Sequence, residues 1–430
     1  MKRAAPLITL ITAALTLSAC SSTEVTPAGR SGDSPVTLTY SAWALATTPE
    51  FQALVDGFEA SHENIDIQIK EYDPAQYDTL ITADLAAGTA PDIITQKGPK
   101  AMPALVEGGQ LLDVSDIKFP DEVAGAASYQ IDGVQYAVPY RQDAWVLYYN
   151  KSLFDAAGVD DPDGSWTWDD YEAAAEKLGT GLKAAGSDAK PAYLHRWQSA
   201  VQAIATAQSG ADILKGEFDQ FKDGYRRALA MQGAGLQVDF NTSTANNLTY
   251  QGEFGQQRAA MMPMGTWYVA ALLAQVKTGD AQEFPWGFAP LPQADASTTG
   301  RDNVPVTFSD PTGAGLNAAI DEAKISAAKE FLAYIAGADA AVALAKIGIT
   351  PAYIDDDVVT AFFSTAGMPN DDLSQFAFGT RDVSAENPTV SQTAAIQTIL
   401  GDLHTAVMSG SRSYADAIAD AKKRFDTEIR

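Results

Sequence analysis

The sequence predicts an α/β protein of two domains, and three observations carry that prediction. Stretches of alternating apolar and polar residues are interleaved with stretches of helical spacing across residues 36–95. A chain of 430 residues exceeds what one hydrophobic core comfortably serves. Hydrophobic residues make up 46% and charged residues 20%, the balance of an ordinary globular protein and not of a disordered one.

Lys2 and Arg3 precede an apolar stretch from Pro6 to Leu17 that is too short to span a bilayer, so residues 1–19 are expected to be a signal peptide. The stretch ends in Leu17-Ser18-Ala19-Cys20, which looks like the lipobox of bacterial lipoproteins. That resemblance implies that Cys20 becomes the lipidated first residue, held at the membrane by several acyl chains where one alone binds weakly. Cys20 is the only cysteine, so an internal disulfide has no second sulfur. The rest of residues 20–35 is small and polar and reads as a flexible tether reaching about 20 Å. The expected location is extracytoplasmic, anchored to the cell membrane.

Val36, Leu38 and Tyr40 alternate with threonines as a first strand, and Phe51, Leu54, Val55 and Phe58 form a helical stripe. Ile65, Ile67 and Ile69 give a second strand. Tyr77, Leu80, Ile81 and Leu85 give a helix stopped by Gly88, and Pro91 to Thr95 gives a third strand. This alternation implies a mainly parallel sheet with ligands bound beyond the carboxyl ends of its strands. Trp43, Gln96 and Lys97 stand at such ends. Further on, Thr167 and Asp170 fit a capping box ahead of the stripe Tyr171, Ala174, Ala175 and Leu178. Ile325, Ala328, Phe331, Leu332 and Ile335 share one helical face, with Gly337 as its stop. Asp355-Asp356-Asp357 lacks calcium-loop spacing and reads as a helix start or a solvated turn.

Lys and Arg total 29 against 55 Asp and Glu, a net charge of -26 that repels phosphate backbones and excludes nucleic-acid binding. His62, His195 and His404 are scattered and have no cysteine partner at metal-ligand spacing. Neither Gly-x-Ser-x-Gly nor a phosphate loop ending in Gly-Lys-Ser/Thr occurs. No metal and no cofactor is expected.

The order of several segments carries a resemblance. They are the stretch from Leu80 to Ile93, Asp132-Gly133-Val134-Gln135-Tyr136-Ala137-Val138-Pro139, Tyr148-Tyr149-Asn150-Lys151, Gly265-Thr266-Trp267 and Phe288-Ala289-Pro290-Leu291-Pro292. In this order the chain resembles the extracellular sugar-binding proteins of ABC importers, the group containing maltose-binding protein. The resemblance implies a two-lobed periplasmic-binding-protein-like fold with a ligand cleft between lobes. It places about three hinge crossings near Tyr140 to Ala144, Val304 to Phe308 and Gly348 to Ala352. Lobe 1 is then expected at 36–143 plus 307–348, and lobe 2 at 144–306 plus 349–430. A monomer is expected, no enzyme, closing on a sugar and delivering it to the permease subunits.

A sugar has apolar C–H faces that pack on aromatic rings and a hydroxyl rim that needs donors and acceptors. In the resembled family the aromatic residue of Gly-x-Trp stacks on the sugar, which nominates Gly265 and Trp267. Trp43 and Trp197 are further candidates, each with core packing as the alternative. Tyr140, Arg141 and Asp143 stand at the first crossing, where Asp143 accepts hydroxyls and Arg141 donates; an ion pair stiffening the hinge is the alternative. Asp310 precedes Gly313 and Gly315, which would let backbone N–H groups approach a ligand, or it caps a helix. Gln96, Lys97 and Glu253 complete the set. A polyamine or a peptide is the rival ligand, and Arg141 opposes a cation. A secreted glycoside hydrolase is the rival class, but with 55 acidic residues a carboxylate pair is uninformative by itself.

Overall fold

The computed structural model describes residues 35–46 and 48–429; the expected signal peptide, Cys20 and nearly all of the tether lie outside the described residues. The chain opens with β1 (Val36–Trp43), α1 (Glu50–Glu59), β2 (Ile65–Tyr72), α2 (Tyr77–Ala87), β3 (Ile93–Gln96), β4 (Val138–Gln142) and β5 (Trp145–Asn150). It continues through α3 (Trp168–Ala184), β6 (Lys190–Ala192), α4 (Gln202–Ser209), α5 (Phe221–Gly233), β7 (Ala259–Gly265), α6 (Tyr268–Thr278) and β8 (Trp286–Pro290). The remainder holds β9 (Val306–Phe308), β10 (Pro311–Leu316), α7 (Ile325–Ile335), α8 (Ala338–Ala345), α9 (Asp356–Phe363), β11 (Asp382–Ser384), α10 (Thr393–Met408) and α11 (Tyr414–Glu428), with shorter elements between.

Local chemistry explains many of these boundaries. The apolar stripe of α1 buries Phe51, Leu54, Val55 and Phe58. At the end of α2, Gly88 takes φ 70°, a left-handed cap that a side chain would resist. The Thr167 hydroxyl accepts from Asp170 N while Asp170 accepts from Thr167 N, a complete capping box at the start of α3. Asp355 caps α9 by accepting from Val358 N at 2.9 Å, so the acidic run is a helix start. Gly337 caps the start of α8, one residue beyond the Ala336 cap of α7.

The strands form two main sheets, in the orders β2-β1-β3-β10-β4 and β8-β5-β7-β6. In the first, β1 is parallel to β2 and β3, but β10 is antiparallel to both β3 and β4. In the second, β5 is antiparallel to β8 and β7, and β6 is parallel to β7. The expected mainly parallel sheet is therefore corrected to mixed sheets. β4 leaves the first sheet at the end where β10 enters it, so those two run oppositely without any crossover helix; β5 and β8 stand in the same relation in the second sheet.

Each sheet carries its own core, Tyr40, Phe51 and Phe331 packing in the first, and Trp145, Tyr148 and Phe288 in the second. A third cluster joins α5, α10 and α11 through Phe221, Leu403 and Phe425. The chain passes from one sheet to the other between Gln142 and Trp145, and returns between Phe308 and Pro311. A third segment runs beside the first: Gln142 N donates to Thr350 O at 3.3 Å, and Ala352 N donates to Tyr140 O at 3.0 Å.

Candidate functional site

A cavity of about 620 Å³ lies where residues at the carboxyl ends of β1, β3, β4 and β7 face one another. Ligands of α/β sheets bind at such strand ends, because the loops there are free to vary over a rigid scaffold. Among the expected residues, Trp43, Lys97, Arg141, Asp143, Trp197, Trp267 and Asp310 line it. Trp145, Tyr250, Glu50 and Glu386 line it too, and sequence reasoning did not nominate them.

One wall is aromatic. Trp267 follows β7 and begins α6, with its ring edge-on to Trp145 at 5.6 Å and tilted against Trp197 at 6.4 Å. Trp197 also meets Tyr250 at 5.8 Å and is 41% exposed, unusual for so large an apolar ring. Gly265 contributes space, since a Cβ there would lie 1.9 Å from the Trp267 ring. Opposite, Trp43 packs edge-on against Phe51 and Tyr77, each at 4.9 Å, so it serves the first core and the cavity together. Lys97 Nζ sits 5.2 Å over the Trp43 ring and donates to Pro74 O at 2.6 Å, and burial holds its pKa down.

The polar part of the site is a network across the first crossing. Arg141 Nε donates to Asp143 Oδ2 at 2.6 Å, and Nη1 donates to Glu50 Oε1 at 2.6 Å. Burial alone would lower the Arg141 pKa, but Asp143 and Glu50 more than offset it and hold it above the usual range. Asp143 Oδ1 accepts from the Thr266 hydroxyl at 2.9 Å, which accepts in turn from Thr350 at 2.9 Å. Burial raises the Glu50 carboxyl against the pull of Arg141, and its buried Oε2 has no hydrogen-bond partner among the described residues.

At the second crossing, Asp310 accepts from Asn387 N at 3.0 Å, and so is no helix cap. Glu386 lies beside it and accepts from the Ser199 hydroxyl. Burial first, then Asp310, pushes the Glu386 carboxyl up to about 7, and burial raises Asp310 as well.

Four expected contacts are not on the cavity wall. Gln96 precedes Lys97 and Tyr140 precedes Arg141, and alternation turns both into the sheet interior, where Gln96 Nε2 has no hydrogen-bond partner among the described residues and Tyr140 lies against Tyr40. Glu253 is buried on a short helix and pairs with Arg258 at 3.4 Å. Gly265 acts through the ring it admits. The glycines after Asp310 also differ from expectation: a Cβ on Gly313 would lie 2.7 Å from Val138 O, and one on Gly315 2.4 Å from Tyr136 O. They admit β4 and the segment leading into it, and not a ligand.

Residues 45–342 match the family described as bacterial extracellular solute-binding protein. A sugar transporter of Rhizobium etli, solved in an open conformation, superposes with a TM-score of 0.78 at 29% identity, covering 92% of this chain and 100% of that one. An ABC substrate-binding protein of Listeria monocytogenes, solved with cycloalternan, superposes at 0.74 with 19% identity, covering 92% and 99%, which is a likeness of fold. An sn-glycerol-3-phosphate-binding periplasmic protein of Agrobacterium fabrum is 28% identical over 147 residues, 28% of this chain and 34% of that protein. A binding protein of Brucella abortus is 28% identical over 152 residues, 33% of this chain and 35% of the relative, so the chain spans about a third of the curated relatives it matches. The fold is the two-lobed one of these binding proteins, and the chain belongs to the bacterial extracellular solute-binding protein family.

Proposed function

We propose that this protein is the carbohydrate-binding component of an ABC importer, capturing a neutral sugar between its lobes and delivering it to the permease. The observation that carries the reading is one 620 Å³ cavity lined both by the rings of Trp267, Trp197 and Tyr250 and by the Arg141–Asp143–Glu50 network. Flat rings suit the apolar faces of a sugar, and carboxylates suit its hydroxyls. Lobes 36–143 plus 307–348 and 144–306 plus 349–430 close because the ligand touches both. Cys20 carries the lipid anchor, and the working form is a monomer docked on its permease.

A thermal-shift screen against neutral sugars, polyamines and peptides tests the reading. A ligand at 100 times its Kd stabilises the fold by about 2.7 kcal/mol. A rise with one group of sugars supports the proposal, and a rise with polyamines or peptides alone moves the ligand class. Silence throughout, with sugar released from a glycan in a parallel assay, replaces it with a hydrolase.

A further inference from the structure

A second cavity, of about 690 Å³, shares no wall residue with the first. It is bounded by the start of α3 and by α4 and α5, and Leu194, Val201, Ile204 and Met231 give it an apolar wall. Its volume is that of a small-molecule site. Arg227, on α5, stands in it with its guanidinium 4.3 Å from the centre of the Trp168 ring. Trp168 is itself held by Nε1 donating to Gln208 Oε1 at 2.9 Å.

The Arg227 head lacks a close acceptor. Among the described residues its N–H groups make no hydrogen bond, and its one ion pair, with Glu172, is long at 3.9 Å. Glu172 Oε1 is already engaged by Arg226 Nη2 at 3.1 Å. The Arg227 side chain is only 15% exposed, and burial pulls its pKa down to about 10 despite Glu172. Tyr171, which also lines the cavity, keeps a buried hydroxyl with no hydrogen-bond partner among the described residues. A guanidinium offers five N–H donors in a planar fork, and a part-buried one without acceptors is costly.

We infer that this cavity binds a small organic carboxylate with an apolar body, its two oxygens taking the unused fork of Arg227 and its body lying on the Leu194–Ile204 wall. Binding is non-covalent and independent of the sugar cleft.

Calorimetric titration of the purified protein with benzoate and with octanoate tests this. The expected result is one site with a Kd below about 1 mM for at least one acid. Trp267→Ala leaves that affinity unchanged, Arg227→Gln weakens it at least tenfold, and benzyl alcohol and octanol bind at least tenfold more weakly than the acids. If Arg227→Gln fails to fold, Ala205→Phe, which fills the cavity from α4, serves in its place. Absence of binding by both acids means that water satisfies Arg227 and overturns the inference. So does binding that the cavity variant leaves intact, or equal affinity for the neutral alcohols.

Discussion

Arg141 and Glu50 are 91 residues apart in sequence and meet at 2.6 Å in the wall of the cleft. The pair ties the start of α1 to the first crossing, and Asp143 completes it from the other side of the guanidinium. A buried charge cluster of this kind is costly to break from one side, because the remaining charges stay buried.

Replacing Arg141 by Met is therefore expected to destabilise the protein by about 3–5 kcal/mol, since Glu50 and Asp143 lose their shared cation. Glu50→Gln is expected to cost less, because Asp143 keeps its partner. Urea unfolding of the three proteins checks both, and a wild-type midpoint for Arg141→Met contradicts the account.

Trp267→Ala removes a stacking surface while α6 still has Tyr268 and Leu272 to hold it in the core. Sugar affinity is expected to fall at least tenfold, about 1.4 kcal/mol, with the circular dichroism unchanged. Calorimetry with whichever sugar stabilises the wild type measures it. Unchanged affinity would place the ligand elsewhere.

Glu386 links stability to pH. Its carboxyl is raised from an ordinary 4.5 to about 7, so the folded state binds that proton more tightly than the unfolded state does. The resulting stability is complete below 4.5 and is lost as pH rises to about 7. His195 and His404, both lowered by burial from 6.5 to about 4, act oppositely: their stability is present above 6.5 and lost as pH falls toward 4. A difference measurement separates the two. Thermal melts should show Glu386→Gln gaining on the wild type as pH goes from about 5 to about 8. A constant difference across that range would rule Glu386 out as the source.

The cleft is also expected to reject sn-glycerol 3-phosphate, the solute named for the Agrobacterium relative. Lys97 and Arg141 are engaged within the protein, while Asp143 and Asp280 line the cavity beside Glu50, Asp310 and Glu386, whose carboxyls burial pushes up and so leaves only partly charged. Each unit of like charge at 4 Å costs about 1–4 kcal/mol between bulk-water and near-surface dielectric. Titration up to about 1 mM should show no heat of binding; a Kd below about 0.1 mM would mean a cation is free to turn toward the ligand.

Much of the site was legible because strand ends are legible. Trp43 closes an alternating strand, Lys97 follows an apolar one, and Trp267 follows an apolar run into a helix, so position along the chain already placed them at loops. Gln96 and Tyr140 sit one residue before Lys97 and Arg141 and point away, since successive side chains on a strand face opposite sides. Glu50 and Glu386 carry no local signal: one begins a helix and the other lies in a loop, and each matters through a partner distant in sequence.

By itself the sequence determined the alternation of strands and helices and the capping box at Thr167, and it narrowed Asp355 to a helix start or a turn, because those depend on neighbours within a few residues. Only the tertiary structure decided that the sheets are mixed, that Gly313 and Gly315 admit β4 and the segment leading into it, and that Arg141 is consumed by two carboxylates. Those outcomes depend on where the chain returns after crossing between sheets. Contacts between residues far apart are set by global packing, which local periodicity does not encode.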